Sequence, residues 1–287
     1  MKLAKKITAA VLAVLVIATC FAACSGKEDK ATEKVKVIDI AITDEEYAFG
    51  VDKNQPELLE QVNKVVTDIK ANGKLDEICN HYFGDGEAAG VTSAAEDSSK
   101  DQLIVATNAE FEPFEFKKGD QFYGIDMEIA KIIADELGKE LVIKDMKFEA
   151  VVTAVQQEKC DIAMAGLTVS SERAEMVNFS ESYYSASQKV VVKGDDTTFD
   201  ACQTKEDVEK ILNALDASAK IGGQNGTTGQ AYVEGSEDLG FTGLTATFVG
   251  YDNGSLAVQD LINGGVTYVI IDAAPAQAIT TAINAVA

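Results

Sequence analysis

The chain has 287 residues, a formal net charge of −22 and 46% hydrophobic residues, with three Pro and no Trp. That length buries one large core or two linked ones. The acidic balance excludes nucleic acid and anionic membrane surfaces as partners, since either needs a basic face, and fits a soluble monomer working outside the cytoplasm.

Lys2, Lys5 and Lys6 precede an apolar run over residues 7–23, the charged-then-apolar layout of an export signal. Phe21-Ala22-Ala23-Cys24-Ser25-Gly26 follows and resembles a bacterial lipobox, which implies cleavage before Cys24 and lipidation of that cysteine. Ile17-Ala18-Thr19-Cys20 is a weaker match, and the Ser-Gly after Cys24 favours the later site. A short transmembrane anchor competes, but a span needs about 20 apolar residues and this run is marginal. The expected boundaries are a signal peptide over 1–23 and a polar tether over 24–34. Loss of the signal removes three lysines and takes the net charge from −22 to −25.

Residues 35–40 alternate like a strand, and Tyr47-Ala48-Phe49-Gly50-Val51 is a second apolar run. Pro56 opens an amphipathic helix over 56–70 with Leu58, Leu59, Val62, Val65, Val66 and Ile69 on one side. Asn72-Gly73 ends it, and a further helical segment spans 75–83. Residues 84–100 are small and acidic without apolar periodicity, the composition of a linker. Beyond it strands and helices alternate: strands near 103–107, 141–143, 162–165, 189–192, 220–221 and 266–271; helices near 125–138, 148–158, 205–215, 230–233 and 255–262. Such alternation predicts an α/β sheet with crossover helices. The chain stops at Ala287 inside a helical pattern, while residues 35–84 are too few to bury their own apolar face. The two facts answer each other if the first segment completes the fold begun by the second.

Arg173 is the one arginine among 25 basic residues. A guanidinium is a planar, permanently charged fork that matches a carboxylate with two parallel hydrogen bonds. It follows Ser170, Ser171 and Glu172, residue types that start a helix. A cation in the first turn opposes the helix dipole; the placement makes sense where the guanidinium and the free helix N–H groups share an anion. Gly222-Gly223-Gln224-Asn225-Gly226-Thr227-Thr228-Gly229 joins a strand to a second helix start, with Thr228 a donor suited to a carboxylate. No Lys follows its glycine, so it is not a phosphate-binding P-loop. Asp272 ends an apolar strand, where a carboxylate needs a partner. Cys79, Cys160 and Cys202 are odd in number, widely spaced and joined by no metal pattern to the single His81, so free buried thiols and a structural histidine are expected. Neither a cofactor nor a metal is implied. The sequons at Asn178, Asn225 and Asn253 are chance matches.

Val105-Ala106-Thr107-Asn108, Phe111-Glu112-Pro113-Phe114-Glu115-Phe116, Gly124-Ile125-Asp126, Ala165-Gly166-Leu167-Thr168, Ser171-Glu172-Arg173, Phe179-Ser180, Gly226-Thr227-Thr228-Gly229 and Ile270-Ile271-Asp272 occur in that order. As a set they resemble the polar-amino-acid-binding lipoproteins of ABC importers. In that family a segment like residues 37–84 comes last, so the chain reads as circularly permuted, with residues 84–100 joining the old ends. A truncated tandem duplication is the alternative. The resemblance implies a two-lobed, periplasmic-binding-protein-like (type II) α/β fold over 35–287. Lobe 1 is expected at 46–83 plus 101–189, lobe 2 at 35–44 plus 194–287, and crossovers near 45–47 and 189–193. The relocated front segment is then hinge and scaffold.

The same resemblance assigns Arg173, Thr168 and Gly166 to the backbone atoms of a bound amino acid and Asp272 to its ammonium. It places the rings of Phe111 and Phe148 on either side of the ligand's aliphatic part. Asn108 stands where members that take glutamine or basic amino acids often have aspartate, which favours a neutral polar ligand; Glu110 nearby restores a negative charge. The implied function is a non-enzymatic, lipid-anchored extracytoplasmic receptor, monomeric, that delivers a free polar amino acid to ABC permease subunits. The competing readings are a surface sensor or adhesin of the same fold, and a cyclohexadienyl-dehydratase-like enzyme with Glu110 as its general acid.

Overall fold

The protein's structure, a computed structural model, describes residues 33–286. The export signal, Cys20, Cys24, most of the tether and Ala287 lie outside the described residues. The described residues open on three short strands, β1 (Val35–Val37), β2 (Glu45–Tyr47) and β3 (Gly50–Asp52). Pro56 then starts α1 (Pro56–Ala71), whose Leu58, Val62, Val65, Val66 and Ile69 form a buried stripe at helical spacing. Gly73, at φ 79°, supplies the left-handed turn into α2 (Lys74–Phe83).

After residues 84–100 come β4 (Gln102–Thr107) and a small hairpin sheet of β5 (Glu110–Phe111), β6 (Glu115–Lys118) and β7 (Gln121–Tyr123). Next are α3 (Ile125–Glu136), β8 (Glu140–Asp145), α4 (Phe148–Gln156), β9 (Ile162–Ala163) and α5 (Ser171–Met176). Three strands follow closely: β10 (Val177–Phe179), β11 (Tyr184–Ala186) and β12 (Gln188–Lys193). The rest is α6 (Lys205–Asn213), β13 (Lys220–Gln224), α7 (Thr228–Glu234), β14 (Thr247–Tyr251), α8 (Gly254–Asn263), β15 (Tyr268–Asp272) and α9 (Ala273–Ala285).

Two five-stranded sheets result, ordered β10-β3-β9-β4-β8 and β1-β12-β15-β13-β14, and each is the spine of one lobe. In both the helix-connected strands run parallel: β4 with β8 and β9, β13 with β14 and β15. The first lobe buries Val105, Ile129, Ile133 and Ile162 against α1 and α3; the second buries Val190, Val192, Ile221 and Ile270 on one face of its sheet and Val191, Val269 and Ile271 on the other. A sheet covered on both faces explains why its strands are unbroken apolar runs.

β2 belongs to neither large sheet. It pairs with β11, Glu45 opposite Ala186 and Tyr47 opposite Tyr184. β2 lies between β1 and β3, and β11 between β10 and β12, so both strands of this ribbon connect one lobe to the other. The return crossover therefore runs through Tyr184–Ala186 rather than 189–193. The reason is burial: Val190, Val191 and Val192 are fully enclosed, and β12 is an interior strand paired with β15 and β1.

Residues 84–100 are not a free linker either. Val91 exchanges backbone hydrogen bonds with Phe122 at 2.7 and 2.9 Å, the N–H of Ala94 donates to Leu141 at 2.8 Å, and Ile143 donates to the Ser93 hydroxyl at 2.8 Å. The segment is a strap that satisfies the outer edge of β8, an edge that would otherwise present open donors and acceptors. At the other lobe, the Asn284 amide of α9 donates to the Val35 carbonyl at 2.8 Å and accepts from the N–H groups of Lys34 and Val35 at 2.9 and 3.3 Å. The first strand and the last helix among the described residues thus meet.

Candidate ligand-binding cleft

The loop after β9 carries Gly166 and Thr168 and then turns into α5, whose N-cap Ser170 accepts a hydrogen bond from the Arg173 N–H at 3.2 Å. Arg173 is only partly buried, and its guanidinium reaches into the cleft. One nitrogen donates to the Thr168 carbonyl at 2.7 Å, the other to the Gly226 carbonyl at 3.1 Å, and the group lies 5.4 Å over the Phe148 ring. Thr168 is in the first lobe and Gly226 in the second, so Arg173 bridges the cleft. Desolvation lowers its pKa, opposed by the negative charges of Glu45 and Asp272. The α5 N–H groups expected to share an anion with Arg173 are taken. Ser171 and Glu172 donate to the two oxygens of Asp238, both at 3.1 Å, so the chain's own carboxylate from the second lobe caps this helix.

The Thr168 hydroxyl donates to Glu45 at 2.7 Å, and Glu45 also accepts from Thr43 at 2.6 Å and from the Gln188 amide at 3.1 Å. Asp272 accepts from the Tyr47 hydroxyl. Burial pushes the Asp272 carboxyl up to about 7, helped by the charge of Glu45 and opposed by the hydrogen bonds from Tyr47 and Gln188. Gly166 sits at φ 53°, and a Cβ there would come within 2.9 Å of the Phe111 ring and 3.2 Å of the Tyr47 ring. Its N–H donates to Asp126 at 3.0 Å, which leaves its carbonyl side for a ligand.

Asn108 is buried; its amide donates to the Met146 carbonyl at 2.9 Å and accepts from the Gln224 amide of the second lobe at 2.8 Å. Glu110 is exposed and accepts from Asn253, also across the cleft, at 2.9 Å. Lys147 and Asp252 form a further cross-cleft contact at 2.8 Å. The cavity lined by Phe111, Phe148, Gly166, Thr168, Arg173, Gln224, Thr227, Thr228 and Asp272 has a volume of about 10 Å³, the room of about one water. The lobes are therefore shut on each other, and any larger ligand requires the cross-cleft contacts to part.

Seven of the nine expected site residues cluster here: Arg173, Thr168, Gly166, Asp272, Thr228, Phe111 and Phe148 line the cavity, while Asn108 and Glu110 stand beside it in cross-cleft hydrogen bonds. The sequence reading missed Glu45, Tyr47, Gln224 and Asp238. The first two carry no sequence signal, since Glu45-Glu46-Tyr47 does not alternate in sequence and only the folded strand buries Glu45 and Tyr47 while exposing Glu46. Gln224 was signalled by its place at the end of a buried glycine strand.

Behind the cavity Glu115 is fully buried with both carboxyl oxygens unpartnered. Asp126, also fully buried, accepts from Tyr183 at 2.5 Å as well as from Gly166. Burial pushes Asp126 up to about 7, and burial with the charges of Asp126 and Asp272 holds Glu115 well above the ordinary carboxylate range. Away from the cleft, His81 and Tyr82 both bond Glu128, at 3.0 and 2.7 Å, pinning the end of α2 to α3. Cys160 is buried, as expected; Cys79 and Cys202 are only half-buried, and all three are unpaired. Among the described residues no helix is long and apolar enough to cross a membrane.

Residues 103–234 match the family described as bacterial extracellular solute-binding proteins, family 3. The arginine-binding extracellular protein ArtP of Bacillus subtilis is 38% identical over 108 residues, 38% of this chain and 42% of that protein. The chain thus spans less than half of that relative's length in the match. A solved structure titled an ancestral arginine-binding protein bound to arginine is 34% identical, covering 64% of this chain and 75% of that one, with a TM-score of 0.53. Another, titled the ancestral amino acid-binding protein AncCDT-1, a precursor of cyclohexadienyl dehydratase, is 31% identical over 60% of this chain and 70% of that one, with a TM-score of 0.50. The two-lobed architecture, the cleft and these matches together make the chain a member of the bacterial extracellular solute-binding proteins, family 3.

Proposed function

We propose that the protein is a non-enzymatic extracytoplasmic receptor that closes its lobes over one free polar amino acid and delivers it to the membrane subunits of an ABC permease. The observation that carries this reading is the Arg173 guanidinium, reaching both lobes and lining one cavity with Asp272, Phe111 and Phe148. A free amino acid needs a fork for its carboxylate, an anion for its ammonium and a shaped apolar wall for its side chain. Arg173, Thr168 and Thr228 take the carboxylate, Asp272 takes the ammonium, and Phe111 and Phe148 flank the aliphatic stem, with Gly166 allowing close approach. Asn108 and Glu110 face the side-chain end; the amide suits a neutral polar group and the nearby carboxylate a basic one. Arginine, named for the Bacillus subtilis relative and the arginine-bound structure, is the first ligand to try.

Micromolar affinity corresponds to about −8 kcal/mol, of which a charge-assisted pair contributes about 1.5–3 kcal/mol. Arg173→Lys should therefore weaken binding by one to two decades in calorimetry; an unchanged affinity would remove the assignment. The exposure of Glu110 and its bond to Asn253 give no support to a dehydratase acid.

Two further elements belong to this reading. Lipidation at Cys24 anchors the monomeric receptor at the cell membrane. The chain order is a circular permutation, supported by the pairing of β1 with β12 and by the Asn284 contacts to Lys34 and Val35, which place the first strand beside the last helix. In it, residues 46–83 and 101–187 build lobe 1, residues 35–44 and 188–286 build lobe 2, and residues 84–100 join the old termini.

A further inference from the structure

The front segment does more than carry hinge and scaffold. We infer that β2 is part of the binding machinery: Glu45 and Tyr47 are positioning residues that hold Thr168 and Asp272, so the hinge strand registers whether both ligand-binding groups are in place. This inference rests on the receptor reading above.

The geometry is that of a short strand with two buried side chains on one face. Glu45 is 6% exposed and Tyr47 fully buried. Being two apart on a strand they point the same way, toward the cleft. The Glu45 carboxylate takes the Thr168 hydroxyl at 2.7 Å, and the Tyr47 hydroxyl donates to Asp272. The backbone repeats the connection. The N–H of Val169 donates to the Glu46 carbonyl at 3.0 Å and that of Ala48 to the Leu167 carbonyl at 3.1 Å, while the opposite edge of β2 carries β11. One edge of the hinge strand is thus the ligand loop, and the other is the second hinge strand. A bend at β2 cannot leave Thr168 and the partner of Asp272 where they are.

The groups facing Asp272 are Glu45 and Tyr47 from β2, Arg173 from α5, Glu115 from β6, Tyr184 from β11 and Gln188 from β12. Tyr47 stabilises the ionised form of Asp272 by donating to it, and Glu45 disfavours that form by charge. Binding an ammonium requires Asp272 ionised, so affinity falls below a midpoint pH set by these two residues in opposite senses.

The test is calorimetric titration of the full chain with L-arginine, L-glutamine and the other common amino acids from pH 5 to pH 9. The best ligand is then titrated into Tyr47→Phe, Glu45→Gln and Asp272→Asn. Tyr47→Phe should move the midpoint up by about one unit from about 7, which weakens binding about fivefold at pH 7 and about tenfold at pH 5, since one unit is tenfold. Glu45→Gln should move the midpoint down. A purely structural role would lower stability without moving the midpoints apart. Each variant changes a single atom or group, and either alone carries the test. Wild-type binding that Asp272→Asn abolishes, with both midpoints unmoved, overturns this inference and leaves the receptor reading intact. Absence of wild-type binding, or wild-type affinity in Asp272→Asn, overturns the receptor reading and this inference with it.

Discussion

A single guanidinium does unusual duty in this chain. Arg173 was legible from composition alone, because one arginine among 25 basic residues marks a place where an ammonium does not suffice. The anion that caps its helix was not legible. The N–H groups beside it are occupied by Asp238, some sixty residues away in sequence, and no local pattern announces such a partner. The buried acids were equally silent. Glu115 sits in a strand whose neighbours are aromatic, and only the folded structure reveals that both of its oxygens lack partners. Asp126 has a consequence that can be measured. Its carboxyl rises from 3.8 to about 7 on folding, so the folded protein binds the extra proton between those values. The stability it supplies is complete below about pH 4 and is lost as pH climbs to about 7, at up to about 1.4 kcal/mol per pH unit. Urea unfolding across pH 4–8 should show a shallower decline for Asp126→Asn than for the wild type; parallel profiles would contradict this account.

At the scale of elements, the helices were readable and the small strands were not. The stripe of α1, the cap at Ser170 and the apolar runs of β4 and β12 follow from periodicity and residue type. β5, β10 and β11 have two or three residues each, too few for alternation to register, yet β11 forms half of the hinge. The strap over 84–100 was hidden for a different reason: its pairing uses backbone groups and one buried valine, Val91, in a composition otherwise typical of a linker. The cap that Asp238 places on α5 is a cross-cleft latch. Since closed-state contacts act on release more than on encounter, Asp238→Ala should raise the ligand dissociation rate several-fold while the association rate stays within about twofold. Stopped-flow displacement checks this, and an unchanged dissociation rate would show that the latch does not hold the lobes shut.

For the whole molecule, two lobes with separate cores share a ribbon of two strands, and the cleft between them is shut around a space of about one water. Function then requires opening, and ligand requires closing. The proposed permutation predicts that a chain rearranged to run from Asp101 to Val286, through a short loop to Val35 and on to Gly84, folds and binds the same ligand within a few-fold. Failure of that chain to fold, where the natural order folds, would contradict the permutation. The central claim, a free amino acid held by Arg173 at its carboxylate and Asp272 at its ammonium, is tested most directly by calorimetry with matched ligands. At pH 8 the full chain should bind at least one free L-amino acid with micromolar affinity, about −8 kcal/mol, and should lose at least two decades when the same ligand is Nα-acetylated or its carboxylate amidated. No heat with any amino acid, or equal affinity for the blocked forms, would contradict it.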